Sequence, residues 1–120
     1  MLIFHIATTA DWQAAEASGS YTTSTRGVTL KSEGFIHLSR DSQADEVLSK
    51  YYAGATEPLT LLMVDTALLT SPWQFDDVAG ALRSFPHIYG PLNPDSVVRA
   101  TPLTKDASGG WALPTLPASI

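Results

Sequence analysis

The chain has 120 residues, 44% of them hydrophobic, which is the size and composition of one globular domain rather than a disordered segment. It contains no cysteine, which excludes disulfides, thiolate metal sites and cysteine nucleophiles. A net charge of −5 disfavours extended binding to phosphate backbones, and no apolar run approaches the length of a membrane span. The opening "MLIFHIATTADW" lacks a basic region, a long apolar core and a small-residue cleavage site. The expectation is therefore a cytoplasmic protein with no membrane segment.

In chain order, "LIFHIA" (Leu2–Ala7) predicts a first strand, with Leu2, Phe4 and Ile6 on one face and Ile3, His5 and Ala7 on the other. "TTADWQAAEAS" predicts a short helix, capped by Thr8 with Asp11 three residues on and ended by Gly19. Gly19 to Ser32 is polar and predicts a long loop, with a short strand at Val28–Leu30. Gly34–Ser39 predicts a second strand, with Phe35, His37 and Ser39 on one face and Ile36 and Leu38 on the other.

"DSQADEVLSKYYAG" is the clearest helix. Asp41 or Ser42 is its expected cap, Ala44, Val47, Leu48 and Tyr51 its apolar stripe, and Gly54 its end. "PLTLLMVD" predicts a central strand buried on both faces. "WQFDD", "FPHIYG" and "VVRATPL" predict further strands, separated by the turn chemistry of "GPLNPDS". The tail "SGGWALPTLPASI" is expected on the surface, anchored by Trp111 or Leu113. The elements predict a single α+β domain over 1–120, with two main helices and a mixed or antiparallel sheet; too few helices are present for a doubly wound parallel sheet.

All three histidines share one context: "IFHIA", "FIHLS" and "FPHIY" each set an imidazole in an apolar, strand-like segment. Alternation places His5 with Ala7, His37 with Ser39 and His87 with Tyr89, each opposite the expected core face. If these strands are neighbours, the rings line one cleft. Imidazole suits acid–base work because its ordinary pKa is near 6.5, and its neutral form can orient a ribose hydroxyl. A strand histidine is also commonly structural. Zinc could take three histidines and a water, but the short His-x-His and His-x-x-x-His spacings are absent, and no metal is predicted. The Gly-x-Ser-x-Gly, Gly-x-Gly-x-x-Gly and Walker patterns are absent too.

"GFIHLS", "SQADEVLSKYYAG" and "FPHIYGPL", with "IFHIA" and the tryptophan of "ADWQAA", resemble the family called domain of unknown function 952. The likeness spans about residues 2–99, leaving 100–120 as a C-terminal strand and tail. It implies a split sheet like that of ADP-ribosyltransferases. A more distant resemblance, of "IHLSRD" and "LTLLMVD", is to the RNA 2′-phosphotransferases, in which the histidine helps hold ADP-ribose. The resemblance implies NAD or an ADP-ribose-like nucleotide as ligand, and a transferase or hydrolase activity. His37, His5 and His87 would be catalytic, with Ser39, Arg40, Tyr89 and Tyr21 as ligand contacts. The glutamates, Glu16, Glu33, Glu46 and Glu57, are all early, so the late glutamate of many ADP-ribosyltransferases has no counterpart. Gln74, Asp76 and Asp77 are the nearest substitutes. The alternative is a non-catalytic metabolite-binding or structural domain with packing histidines.

Overall fold

The computed structural model describes residues 1–119; Ile120, the last residue of the expected tail, lies outside them. At its centre is β1 (Leu2–Thr8), five of whose seven residues are buried. It runs antiparallel to β5 (Leu59–Asp65), which in turn pairs with β8 (Val97–Pro102). A second sheet has the order β4 (Ile36–His37), β7 (Phe85–Ile88), β6 (Trp73–Asp76), again antiparallel throughout. The two sheets meet at one bridge. The Phe4 N–H donates to the Ser39 carbonyl and the Ser39 N–H to the Phe4 carbonyl, both at 2.8 Å. The result is an α+β protein with a split sheet whose described pairings are all antiparallel.

Apolar side chains are buried on both sides of β1. Ile3 and Ala7 pack with Trp12 and Ala15 of α1 (Thr9–Ser18) and with Tyr21, Ile36, Leu38 and Leu62. Phe4 and Ile6 pack with Val47 and Leu48 of α3 (Ala44–Tyr51) and with Tyr52, Leu61 and Phe85. α1 forms where expected: the Asp11 N–H donates to Thr8 Oγ1 at 3.2 Å, and Gly19 closes the helix at φ 82°. The β5 prediction also holds, since this strand is paired on both edges and Leu62 at its middle is fully buried.

Four expectations are corrected. The long loop is in fact structured: β2 (Thr23–Thr25) and β3 (Val28–Thr29) form a small hairpin, followed by the single-turn α2 (Leu30–Glu33). Thr29 caps that turn, and Gly34 ends it at φ 92°, a conformation that costs glycine nothing. Asp41 does not cap α3; its Oδ1 accepts from the Ser119 N–H at 3.2 Å, and a 3-10 turn at Asp41–Gln43 leads into the helix. The tail is anchored by Trp111 as expected, its Nε1–H donating to the Tyr52 carbonyl at 3.0 Å, but its last described residue is not on the surface. After the hairpin of β9 (Thr104–Lys105) and β10 (Trp111–Ala112), Ser119 is buried and its carbonyl accepts from the Leu2 N–H at 3.2 Å. Finally, His5 does not face away from the core, because both faces of β1 are core.

No helix of the described residues is long and apolar enough to cross a membrane. Truncating Leu62 to Ala removes a fully buried side chain at the middle of the central strand. The expected loss is about 2–5 kcal/mol, read from urea unfolding midpoints; a loss of only a few tenths would contradict the packing described.

Candidate functional site

His5 and His37 lie on opposite faces at the seam. Ser39 is bridged to Phe4, so alternation puts His37 on the Phe4 side and His5 on the Leu38 side. His5 still touches the His37 backbone. Its Nδ1–H donates to the His37 carbonyl at 2.7 Å, and since a carbonyl only accepts, that contact fixes the proton on Nδ1. Burial lowers the His5 pKa to about 4, outweighing the raising effect of that hydrogen bond. The neutral ring then accepts at Nε2 from the Tyr21 hydroxyl, also at 2.7 Å. Tyr21 is itself buried, which raises its pKa further above the ordinary phenol value. Both nitrogens of His5 are committed, and the ring is 2% exposed. His5, expected as catalytic, and Tyr21, expected as a ligand contact, thus lie buried beneath the sheet and bond each other.

On the other face, strand register does what the sequence could only suppose. His37 pairs directly opposite His87, and His87 opposite Gln74. His87 Nδ1–H donates to Asp76 Oδ2 at 2.7 Å, and its Nε2 lies 3.2 Å from His37 Nδ1. Asp76 also accepts from the Tyr89 hydroxyl and from Gln74 Nε2. These hydrogen bonds, Tyr89 first, hold its carboxyl below the usual carboxylate range. The His87 ring stacks on Phe35 with centroids 4.0 Å apart. Burial, then the neighbouring His87, His5 and Lys50, lower the His37 pKa to about 4.

The proton positions follow from the ends of this chain. Ionised Asp76 only accepts, so His87 carries a proton on Nδ1. With both rings neutral, His87 Nε2 accepts from His37 Nδ1–H, and His37 Nε2 is left as a bare lone pair. That atom has no hydrogen-bond partner, and neither does Ser24 Oγ; these are the two unpartnered buried side-chain polar atoms among the described residues. Ser24, His37 and His87 line one cleft of about 240 Å³, with Phe35, Glu33 and Tyr51. A smaller space of about 100 Å³, bordered by Glu46, Lys50 and Phe85, adjoins it across His37, Tyr51 and Val78.

The remaining expected contacts are spread out. Ser39 is buried, and its Oγ reaches only the Phe4 carbonyl, at 3.4 Å. Arg40 donates to the Ser84 carbonyl and hydroxyl at 3.2 and 2.9 Å and lies over the Phe75 ring, away from the cleft. Both, expected as ligand contacts, make tertiary hydrogen bonds outside the cleft lining. Tyr89 is exposed and grips Asp76. Sequence reasoning missed Ser24, which sits in the stretch read as loop, and treated Tyr51 as part of a buried stripe although it is 45% exposed beside the cleft. Asp76 stood only among substitutes for a missing glutamate. The signal that finds it is the β6–β7 hairpin, whose alternation sets Gln74 and Asp76 on the His87 face.

Fold and site together define a small antiparallel α+β protein with a carboxylate–imidazole–imidazole chain along one cleft. The chain belongs to the DUF952 family, described as proteins of unknown function, which it matches over residues 6–100. It is similar to protein CC0527 of Caulobacter crescentus. The crystal structure of that protein is 35% identical, with TM-score 0.80 over 93% of this chain and 94% of that one. The solution NMR structure of the same protein is also 35% identical, with TM-score 0.72 over 91% and 90%. No curated protein matches.

Because His5 and His37 are held near 4 against about 6.5 in an unfolded chain, the unfolded state takes up protons first on acidification. Stability is therefore full above about pH 6.5 and falls as the pH drops toward about 4. The urea midpoint measured against pH should show this slope, and His5→Gln, which can still donate to the carbonyl and accept from Tyr21, should reduce it. Equal slopes in the two proteins would contradict the assignment.

Proposed function

We propose that the cleft beside His37 binds a small ribose-bearing ligand of the nucleotide class, such as NAD or ADP-ribose, with a ribose hydroxyl donating to His37 Nε2. The observation that carries this reading is the unpartnered lone pair on His37 Nε2 beside the unpartnered Ser24 hydroxyl. A buried polar atom left without a partner costs about 1–3 kcal/mol, so a ligand hydroxyl that donates to His37 Nε2 recovers part of that cost. Tyr51 and Val78, both exposed, border the spaces on either side of His37.

Size and charge limit the reading. The spaces beside His37 suit a nucleoside-sized group rather than a whole dinucleotide. The rest of such a ligand would follow the open groove at Thr25–Val28, which shares Thr25 and Tyr51 with the cleft. Lys50 is the cation at the cleft, and Arg26 in the groove is held by both oxygens of Glu57, at 3.0 and 3.1 Å. The split antiparallel sheet agrees with an ADP-ribosylation-like fold, and that likeness is part of the proposal. Glu33 and Glu46 at the cleft favour a second reading, a non-catalytic module for a neutral hydroxylated metabolite.

Thermal unfolding with millimolar NAD or ADP-ribose is the test. The expected result is a rise in Tm of a degree or more through mass action on the folded state, absent in a His37→Ala variant shown to be folded. A rise with adenosine but not with either phosphate-bearing ligand supports the second reading. No rise with any of the three contradicts both.

A further inference from the structure

We infer that Asp76, His87 and His37 form a proton-accepting chain, so that the cleft acts as a general base toward a ligand or water O–H group placed at His37 Nε2. The inference rests on the reading of the cleft as a ligand site only for the identity of that O–H group; the chain itself is made of the protein's own side chains.

The geometry supplies each link. Register sets His37 opposite His87, their facing nitrogens 3.2 Å apart, and the far side of His87 donates to Asp76 at 2.7 Å. The step balances. The O–H proton goes to His37 Nε2 while the oxygen keeps the bonding electrons. His37 releases its Nδ1 proton to His87 Nε2. His87 ends as an imidazolium with a proton on each nitrogen, His37 ends neutral with its proton moved from Nδ1 to Nε2, and the new positive charge lies against the Asp76 carboxylate. His37 is the catalytic residue; His87 and Asp76 are positioning residues behind it.

The second histidine solves a problem that the first creates. Burial and neighbouring charge make His37 a weak resting place for a proton. A lone imidazole in that position would hold little of it at neutral pH. His87 has the Asp76 carboxylate at hydrogen-bond distance and the face of Phe35 stacked on its ring, so a proton relayed to it lies directly against a fixed negative charge. The other ionisable groups around the pair are Lys50, Glu46 and Tyr51 from α3, Glu33 from α2, Tyr89 beyond β7 and His5 beneath the seam. Asp76 is the carboxylate in direct contact with an imidazole of the pair, at 2.7 Å from His87 Nδ1.

The chain makes a specific spectroscopic demand. In ¹⁵N-labelled protein, histidine tautomers are read from long-range ¹H–¹⁵N correlations as the pH is lowered from about 8 to about 5. The expected result is that both rings begin as Nδ1–H tautomers. His87 then takes the first proton, and in the same step His37 changes to the Nε2–H tautomer without gaining charge. Asp76→Ala uncouples the change, whereas the milder Tyr89→Phe keeps it and moves only its midpoint. If His37 is Nε2–H from the start, or titrates independently of His87, the inference is overturned. Failure of NAD and ADP-ribose to bind leaves this result standing, and an absent switch in a protein that does bind them removes the proton chain alone.

Discussion

The hydrogen bond from His5 Nδ1 to the His37 carbonyl crosses the seam between the two half-sheets, beside the Phe4–Ser39 bridge. Everything above the sheet depends on that joint. A single bridge would allow the halves to hinge, and β4 is only two residues long. The buried imidazole adds a second fastening, itself anchored by Tyr21, which ties back through its backbone to Leu92. Because burial keeps the ring neutral, the fastening has a defined direction, Nδ1 to the carbonyl and Tyr21 to Nε2. A neutral ring in that position avoids the penalty of a buried charge.

The same logic of one-way partners organises the opposite face. The Asp76 carboxylate can only accept, and its three donors come from Gln74, His87 and Tyr89. That fixes His87, and His87 fixes His37. At both ends of the seam a group that cannot donate sets the tautomer of the ring beside it, a carbonyl for His5 and a carboxylate for His87. The outcome is an acceptor at His37 Nε2 in a protein whose net charge is −5. With Glu33 and Glu46 each lining one of the two spaces beside His37, the local charge favours a neutral donor over an anion.

Much of the scaffold was legible in the sequence because it depends on local signals. The alternation of "LIFHIA", the capping pair Thr8–Asp11, the stripe of α3 and the continuous apolar run of β5 each report short-range geometry. The meeting of His37 and His87 was legible in part, since alternation gave each its face but only register set them opposite each other. His5 misled because the same alternation cannot tell solvent from a second core, and β1 is covered on both sides. Ser39 and Arg40 are neighbours of His37 in sequence but not in the cleft. Strand alternation sends Arg40 away, and the bridge to Phe4 buries Ser39. Ser24 was invisible because β2 is three residues of Thr-Ser-Thr, a composition that reads as loop until it finds its partner.

Neutron diffraction from crystals exchanged into D₂O at neutral pD tests the central claim most directly, because it sees the protons on which the account turns. The account predicts deuterium on Nδ1 of His5, His37 and His87, and none on His37 Nε2. Deuterium on His37 Nε2, with His37 Nδ1 bare, would contradict it.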